Sequence, residues 1–178
     1  MIRIVQDDIT TFEGNVIVNA ANQYLEIGGG VDGAIHRAAG PMLVASCRDI
    51  TPVVGSIRCP LGYVRVTPGF SLRADYVFHT VGPIYDEPES ENCAKILRQC
   101  FENCGKVLSG MGLRTIAFPA ISAGVFGYPM MECANIALQW AVKFDVKNED
   151  VGIYFYIPGA NDFRVWERVL AQNQLLRR

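Results

Sequence analysis

Short apolar runs alternate along the chain with longer segments in which apolar residues recur every third or fourth position. Several of the short runs are apolar at nearly every position, which is typical of strands covered on both faces of a sheet. They predict strands over residues 2–5, 15–19, 63–67, 76–80, 115–118 and 151–157. The longer segments have helical periodicity and predict helices over residues 31–39, 42–49, 90–109, 130–144 and 162–172.

The order of these elements predicts the fold class. Helices dispersed among buried strands indicate a three-layer α/β/α sandwich around a central sheet. Residues 63–67 and 76–80 are joined by a short Pro68-Gly69 turn, which favours a hairpin over a crossover. We therefore predict an α/β fold with a mixed, mostly parallel sheet. No linker, repeat or low-complexity stretch interrupts the chain, so residues 1–178 are predicted to form a single domain.

Composition and charge narrow the range of partners. Half of the 178 residues are hydrophobic, which argues against a disordered chain. The apolar runs are too short to span a membrane and residues 1–5 do not begin a signal peptide, so a cytoplasmic protein is expected. The net charge is −2 and no basic stripe precedes Arg177-Arg178, so extended nucleic-acid binding is not expected. A phosphate-bearing ligand would have to be held largely by main-chain donors.

The six cysteines are scattered and form no C-x-x-C pair. This spacing disfavours a zinc cluster and a thioredoxin-type site, and neither a metal nor a cofactor is predicted. Cys100 and Cys104 share one face of a predicted helix. Both are expected to be core residues in a reducing cytosol.

Two glycine-rich loops are the most distinctive feature of the sequence. One spans residues 28–33 (GGGVDG) and the other spans residues 122–127 (SAGVFG). Each follows an apolar run that predicts a strand, and each precedes a predicted helix. Consecutive amide N–H groups at a helix N-terminus form an anion site without any cationic side chain. The pair of loops predicts a ligand with two phosphates, held from both sides.

Three other motifs could involve the same loops, but the sequence supports each of them less well than a two-phosphate site. Residues 28–33 satisfy G-x-G-x-x-G, but they do not lie directly at a strand end and no acidic residue follows at the required distance, which disfavours a Rossmann site. Ser122 lies in a segment similar to a nucleophile elbow. Both histidines, His36 and His79, precede it, which weakens the serine-hydrolase hypothesis but leaves it open. No Gly-Lys-Ser or Gly-Lys-Thr follows a glycine loop.

The polar residues beside the loops have competing interpretations. Asp32, at the start of a predicted helix, is expected to be an N-cap, and it could also orient or deprotonate a water. Asn19 and Asn22, at a strand exit, fit an Asx-turn and a contact with a sugar hydroxyl equally well. His36 could pair with Asp32 but is expected to be structural. His79 is expected to be a buried histidine satisfied by backbone groups.

Five segments, two of which contain the glycine-rich loops, occur in a distinctive order. They are residues 8–10 (DIT), 17–22 (IVNAAN), 28–40 (GGGVDGAIHRAAG), 79–83 (HTVGP) and 118–129 (FPAISAGVFGYP). Each is weak alone, but together they resemble the macrodomain family of ADP-ribose-binding modules nearly end to end. The size of the chain and the GGGVDGAIHRAAG block are most similar to the subgroup that removes ADP-ribose from proteins and deacetylates O-acetyl-ADP-ribose.

The resemblance implies a role for each part of the site. Asp8, with the Ile9 backbone alongside, would bind the adenine amino group, although a turn or cap is the default interpretation of that segment. The glycine loops would wrap the pyrophosphate, and Phe126 would cover the distal ribose. Asn22 and Asp32 would flank that ribose, and hydrolysis would depend on them. The implied ligand-binding residues are Asp8, Ile9, Asn22, Gly28, Gly29, Gly30, Val31, Asp32, Ser122, Ala123, Gly124, Val125 and Phe126.

The resemblance also implies an activity, the hydrolysis of ADP-ribosyl esters by attack of water at the distal ribose. The substrates would be O-acetyl-ADP-ribose and mono-ADP-ribosylated proteins, without a metal or a covalent intermediate. Two alternatives stay open: a non-catalytic reader module for ADP-ribose, and a hydrolase of ADP-ribose phosphate or ADP-ribosylated nucleic-acid ends. Whether Asp32 or a phosphate of the ligand activates the water is also open.

Three positions depart from the family pattern. Asp7 stands where a glycine is usual and adds negative charge near the adenine end. Ile27 replaces the first of four loop glycines; it is strained if the position needs a positive φ, and otherwise it would shield the site from water. Pro158-Gly159 stands where an aromatic residue often follows the last strand. Phe163 could substitute for that aromatic, but it is expected to lie in the helix core.

Overall fold

A six-stranded sheet forms the centre of the molecule. The computed structural model describes residues 1–176, so Arg177 and Arg178 lie outside the described residues. The strands are β1 (Ile2–Val5), β2 (Gly14–Ala20), β3 (Val64–Pro68), β4 (Ala74–Thr80), β5 (Thr115–Phe118) and β6 (Gly152–Tyr156). Their order in the sheet is β1-β6-β5-β2-β4-β3, and each neighbouring pair is parallel except β3 with β4. The prediction of a mixed, mostly parallel sheet is confirmed.

Helices cover both faces of this sheet. Within the described residues, the α-helices are α1 (Gly30–Ala39), α2 (Pro41–Arg48), α3 (Ser90–Gly110), α4 (Met130–Lys147) and α5 (Ala160–Leu175). Short 3-10 helices lie at Ile9–Thr11 and Glu87–Glu89. All five predicted helices are present, with ends that differ by up to a few residues. The predicted three-layer α/β/α sandwich is therefore confirmed.

Alternate strand residues enter two separate apolar layers. In β2, Val16 and Val18 join the layer that contains residues of α3, α4 and α5, whereas Ile17 joins the layer that contains residues of α1 and α2. Phe101 and Phe118 pack in the first layer with their ring centroids 5.3 Å apart. Because both faces of the sheet are buried, its central strands are apolar at consecutive positions instead of alternating.

The predicted hairpin lies at one edge of the sheet. Antiparallel pairing aligns Val66 of β3 with Phe78 of β4. The connection covers residues 69–73. It is longer than the Pro68-Gly69 turn that the sequence predicts, because Pro68 belongs to β3 and pairs with Tyr76 of β4. A Cβ atom on Gly69 would lie 2.0 Å from the carbonyl oxygen of Ala74, so this approach requires glycine.

The carboxyl ends of the parallel strands meet at one edge of the sheet. The loop after β2 leads into α1, the loop after β5 leads into α4, and the loop after β6 leads into α5. Ligands in open α/β sheets bind at this edge. The fold therefore brings the two glycine-rich loops, which are distant in the sequence, to the same side of the molecule.

The cysteines are buried free thiols. Burial raises the pKa of the Cys47 thiol to about 11 and that of the Cys59 thiol to about 12, so both are protonated at neutral pH and are poor nucleophiles. Cys100 and Cys104 lie in the core, as predicted. Within residues 1–176, no group of three or more His, Cys, Asp or Glu side chains could hold a metal ion, and no helix is long and apolar enough to cross a membrane.

Candidate active site

A cleft of about 620 Å³ opens between the two glycine-rich loops. All the residues that the family resemblance implied for ligand binding, from Asp8 to Phe126, line this cleft. Its volume is that of a small-molecule site, for which roughly 300–1,000 Å³ is typical. The further lining residues are Ala20, Ala21, Ala34, Pro119, Ala120, Met130, Tyr156, Ile157, Pro158, Gly159 and Asp162.

The first glycine-rich loop ends in the N-terminus of α1. Gly29 is the N-cap and Gly30 has a φ of +57°, a conformation that favours glycine. A Cβ atom on Gly33 would lie 2.8 Å from the carbonyl oxygen of Gly28, so the missing side chain lets the helix pack against its own loop. In the described part of the chain, the amides of residues 29–32 have no acceptor, as expected for the first turn of a helix. They form an anion-binding surface.

The second glycine-rich loop presents amides from the opposite side of the cleft. Ser122 is buried with a φ of +64°, and a Cβ atom on Gly82 would lie 2.1 Å from its Oγ. The amide of Ala123 donates to the carbonyl of Ala120, and that of Gly127 donates to the carbonyl of Gly124. Those of residues 124–126 have no acceptor among residues 1–176. Each loop therefore contributes a set of free main-chain donors, which is the arrangement that the sequence predicted.

The serine-hydrolase hypothesis receives no support from the geometry. The buried Oγ of Ser122 has no hydrogen-bond partner in the described chain. His79 instead contacts Thr67 and Asn19, and His36 lies against Asp32. A serine nucleophile needs a base within hydrogen-bond reach, and neither histidine contacts this one.

Asp32 is a buried carboxylate held at both oxygens. Its Oδ1 accepts from Asn19 Nδ2 at 2.7 Å, and its Oδ2 accepts from the Gly28 amide at 2.6 Å. His36 Nε2 lies 3.6 Å from Oδ1. Burial on its own would raise the pKa of Asp32, but the interactions with His36, Asn19 and the Gly28 amide outweigh it, and the pKa is lowered. The carboxylate is therefore ionised at neutral pH.

The expectation that Asp32 is the N-cap of α1 is wrong. Gly29 occupies that position, and Asp32 is the third residue of the helix. From there its side chain reaches back to the Gly28 amide, much as the acidic residue of a capping box does. An acidic residue three positions after a cap favours this arrangement, so the sequence contained the signal.

Asn22 shapes the loop after β2. Its Oδ1 accepts from the amides of Tyr24 and Glu26 at 3.1 and 3.3 Å, and its Nδ2 donates to the Glu26 carbonyl at 2.8 Å. The Asx-turn interpretation is confirmed. A Cβ atom on Gly28 would lie 3.4 Å from Asp32 Oδ2 and 3.8 Å from Asn22 Nδ2, so the amide and the carboxylate both lie close to Gly28 in the cleft.

Asn19 and His79 are both buried behind the cleft. Asn19 is fully buried and is not among the lining residues, so the interpretation as a contact with the sugar is wrong. His79 is buried as predicted, but its ring nitrogens face the side chains of Asn19 and Thr67 instead of backbone groups. Burial lowers the pKa of His79 to about 3, so the ring is neutral.

The end of β6 and its connection to α5 supply cleft residues, of which the sequence analysis named Pro158 and Gly159 but missed Tyr156 and Asp162. Tyr156 ends β6 and lines the cleft together with Pro158, Gly159 and Asp162. Phe163 packs against the core, as expected, and the aromatic ring on this side of the cleft is that of Tyr156. The alternation of Tyr154, Phe155 and Tyr156 could have indicated a ring on the α1 face of the sheet.

The structure also tests the local interpretations of Asp8 and Ile27. Asp8 accepts from the Thr10 amide at 2.8 Å and caps the 3-10 helix Ile9–Thr11, which confirms the default interpretation of a cap. Ile27 is 55% exposed and its φ is not positive, so the residue is not strained. It is also not among the residues that line the cleft, so the shielding role is not supported.

Comparison with known proteins identifies the family. The model of the Macro domain matches residues 18–137 of this chain. A macro domain-containing protein of Xanthomonas campestris is 48% identical over 137 residues, which are 77% of this chain and 76% of that protein. A protein of an Enterobacter species named O-acetyl-ADP-ribose deacetylase is 40% identical over 175 residues, which are 98% of this chain and 96% of that protein.

Solved structures agree with these relatives. The macrodomain of Oceanobacillus iheyensis with ADP superposes with a TM-score of 0.91 at 37% identity, and the match covers 98% of this chain and 92% of that chain. The fold, the two amide-lined loops and the sequence similarity thus all indicate the same family. This chain belongs to the macro domain family.

Proposed function

We propose that the protein binds ADP-ribose in the cleft and hydrolyses ADP-ribosyl esters at the end where Asn22 and Asp32 lie. The observation that carries the proposal is that this amide and this ionised carboxylate both lie beside Gly28, between two sets of free main-chain donors. The similarity to a protein named O-acetyl-ADP-ribose deacetylase supports the same reaction class. The substrates are O-acetyl-ADP-ribose and mono-ADP-ribosylated carboxylate side chains of proteins.

Main-chain groups hold the two phosphates. The amides of residues 29–32 bind them from one side, and the amides of residues 124–126 bind them from the other. Among the described residues that line the cleft there is no Lys or Arg, which supports capture by amides and helix dipoles. Asp8, Ile9 and Tyr156 surround the adenine, and Asn22, Asp32 and Phe126 surround the distal ribose.

Asp32 aligns the attacking water. A carboxylate can accept about four hydrogen bonds, and its contacts with Asn19 and Gly28 leave capacity for a water molecule. Because its pKa is lowered, Asp32 is a better acceptor of a hydrogen bond than of a proton. In the deacetylase reaction the water attacks the acyl carbon, the bond between that carbon and the ribose oxygen breaks, and acetic acid and ADP-ribose are released.

A smaller depression of about 210 Å³ continues from the ribose end of the cleft. It shares Asn22 and Phe126 with the cleft. The exposed apolar side chains of Tyr24, Leu61 and Ile84 line it. We assign this space to the group attached to the distal ribose, either the acyl group or the modified protein side chain.

The proposal is tested with Asp32→Ala. We expect kcat on O-acetyl-ADP-ribose and on a mono-ADP-ribosylated glutamate protein to fall about 100-fold or more, since loss of alignment of the reacting groups costs this much. Calorimetry with ADP-ribose reports binding separately. Asp150→Ala is the matched control, because this exposed aspartate lies in the loop before β6, outside the cleft.

Two outcomes would contradict the proposal. Undiminished turnover by Asp32→Ala would rule out a catalytic carboxylate. Tight binding of ADP-ribose by the unmodified protein without release of product from either substrate would make the protein a non-catalytic reader module.

A further inference from the structure

A row of buried polar side chains, each in contact with the next, leads to the proposed catalytic carboxylate. It starts at Thr67 on β3, passes through His79 on β4 and Asn19 on β2, and ends at Asp32 on α1. Thr67 Oγ1 lies 2.9 Å from His79 Nε2, and His79 Nδ1 lies 3.2 Å from Asn19 Nδ2. The same Nδ2 lies 2.7 Å from Asp32 Oδ1. These four side chains belong to residues that are at most 6% exposed.

The hydrogen-bond directions along this row follow from the chemistry of its ends. The Asp32 carboxylate only accepts, so Asn19 must present its NH₂ group. The opposite orientation of the amide would bring Oδ1 against the carboxylate. The second hydrogen of Nδ2 is then directed to His79 Nδ1, which must be the unprotonated nitrogen of a neutral ring. The N–H at Nε2 donates to Thr67 Oγ1.

One atom in this arrangement has no partner. The Oδ1 of Asn19 is buried and accepts no hydrogen bond within the described chain. A buried polar atom without a partner is costly, so an asparagine selected for packing alone would be a poor choice here. Its NH₂ group, in contrast, bridges two acceptors, which a hydroxyl with one hydrogen cannot do.

We propose that Asn19 is a positioning residue for ester hydrolysis and that neutral His79 holds its amide in place. The inference rests on the function proposed above. Asn19 does not line the cleft and acts through Asp32, whose two oxygens are fixed by Asn19 on one side and by the Gly28 amide on the other. Without Asn19 the carboxylate loses one of these two anchors.

The first test compares two variants of β2. Asn19→Leu keeps a similar side-chain size but removes the amide, and we expect kcat to fall about 100-fold, the loss typical of a misplacement of about 1 Å. The affinity for ADP-ribose, measured by calorimetry, should stay close to that of the unmodified protein. Asn15→Leu is the matched control, because the Asn15 side chain also makes hydrogen bonds from β2, at the opposite end of the strand, where its Oδ1 accepts from the amides of Arg114 and Thr115. It should lower the melting temperature and leave kcat unchanged.

The second test replaces His79 in two ways. In His79→Asn the side-chain oxygen can accept from Asn19 in place of Nδ1, whereas in His79→Gln the side-chain NH₂ can donate to Thr67 in place of Nε2. If the contact with Asn19 is the one that matters, His79→Asn retains more kcat than His79→Gln. Melting temperatures of both variants show whether stability follows the same order. This comparison also decides the question if Asn19→Leu does not fold.

The outcomes separate the two proposals. If the unmodified protein releases no product, the proposed function itself is overturned. If it turns over and Asn19→Leu keeps the original kcat, or if the two His79 variants lose kcat equally, the positioning role is overturned. Turnover by the unmodified protein, with kcat selectively lowered by Asn19→Leu and His79→Gln, supports both.

Discussion

Asp32 links the shape of the first glycine-rich loop to the proposed chemistry. Its Oδ2 accepts from the Gly28 amide, so the carboxylate holds the loop that is to bind phosphate. Its Oδ1 accepts a hydrogen bond from the buried Asn19, and His36 lies beside the same oxygen. A group that is ionised by such contacts at neutral pH needs no change of protonation before substrate binds.

The neutral state of His79 makes a prediction about stability and pH. Its pKa falls from 6.5 to about 3 on folding, because burial disfavours the charged ring. Between these values the unfolded chain binds more protons at this residue, so the free energy of unfolding decreases as the pH is lowered. From pH 7 to pH 5 the expected loss from His79 is about 2 kcal/mol.

Urea denaturation at pH 7 and pH 5 measures this contribution. His79→Asn does not titrate in this range, so its free energy of unfolding should decrease less than that of the unmodified protein between the two pH values. Equal decreases in the two proteins would show that His79 is protonated in the folded state as readily as in the unfolded state.

At the scale of elements, two loops and the helices after them supply the free amides. Hydrophobic periodicity predicted these helices and the six strands, because it depends only on neighbouring residues of one segment. The two glycine-rich loops could also be predicted from neighbouring residues, since a run of glycines is typical of an anion site formed by main-chain amides. The partners of His79 were not predictable in this way. Thr67, Asn19 and His79 lie on three strands, and their contact depends on the strand order β2-β4-β3.

The close packing of α1 against its own loop predicts the effect of Gly33→Ala. The added methyl group would lie 2.8 Å from the Gly28 carbonyl oxygen, which is main chain and can move only if the loop shifts. Alanine gains about 1 kcal/mol in helix propensity, but overpacking costs about 1–3 kcal/mol. We expect a lower melting temperature and weaker binding of ADP-ribose.

Gly110→Ala is the control for this change. Gly110 is the last residue of α3, and a Cβ atom there meets nothing within 4 Å. Its melting temperature should be unchanged or higher, and its affinity for ADP-ribose should be unchanged. A Gly33→Ala protein that binds ADP-ribose as tightly as the unmodified protein would show that the loop tolerates a side chain at this contact.

At the scale of the whole molecule, the charge of the cleft is opposite to that of a cationic phosphate site. Asp8, Asp32 and Asp162 line it, no Lys or Arg does so within the described residues, and the chain has a net charge of −2. The negative charge of a diphosphate must therefore be balanced by oriented amides and helix N-termini. The single domain over residues 1–178, the cytoplasmic location and the modified-protein substrates stay predictions.

Titration of the ¹⁵N-labelled protein with ADP-ribose, followed by amide NMR, tests this capture by main-chain groups directly. The largest chemical-shift changes are predicted for the amides of residues 29–32 and 124–126, which have no acceptor in the described chain. Changes confined to residues outside the cleft, or no change at millimolar ADP-ribose, would contradict the proposed mode of binding.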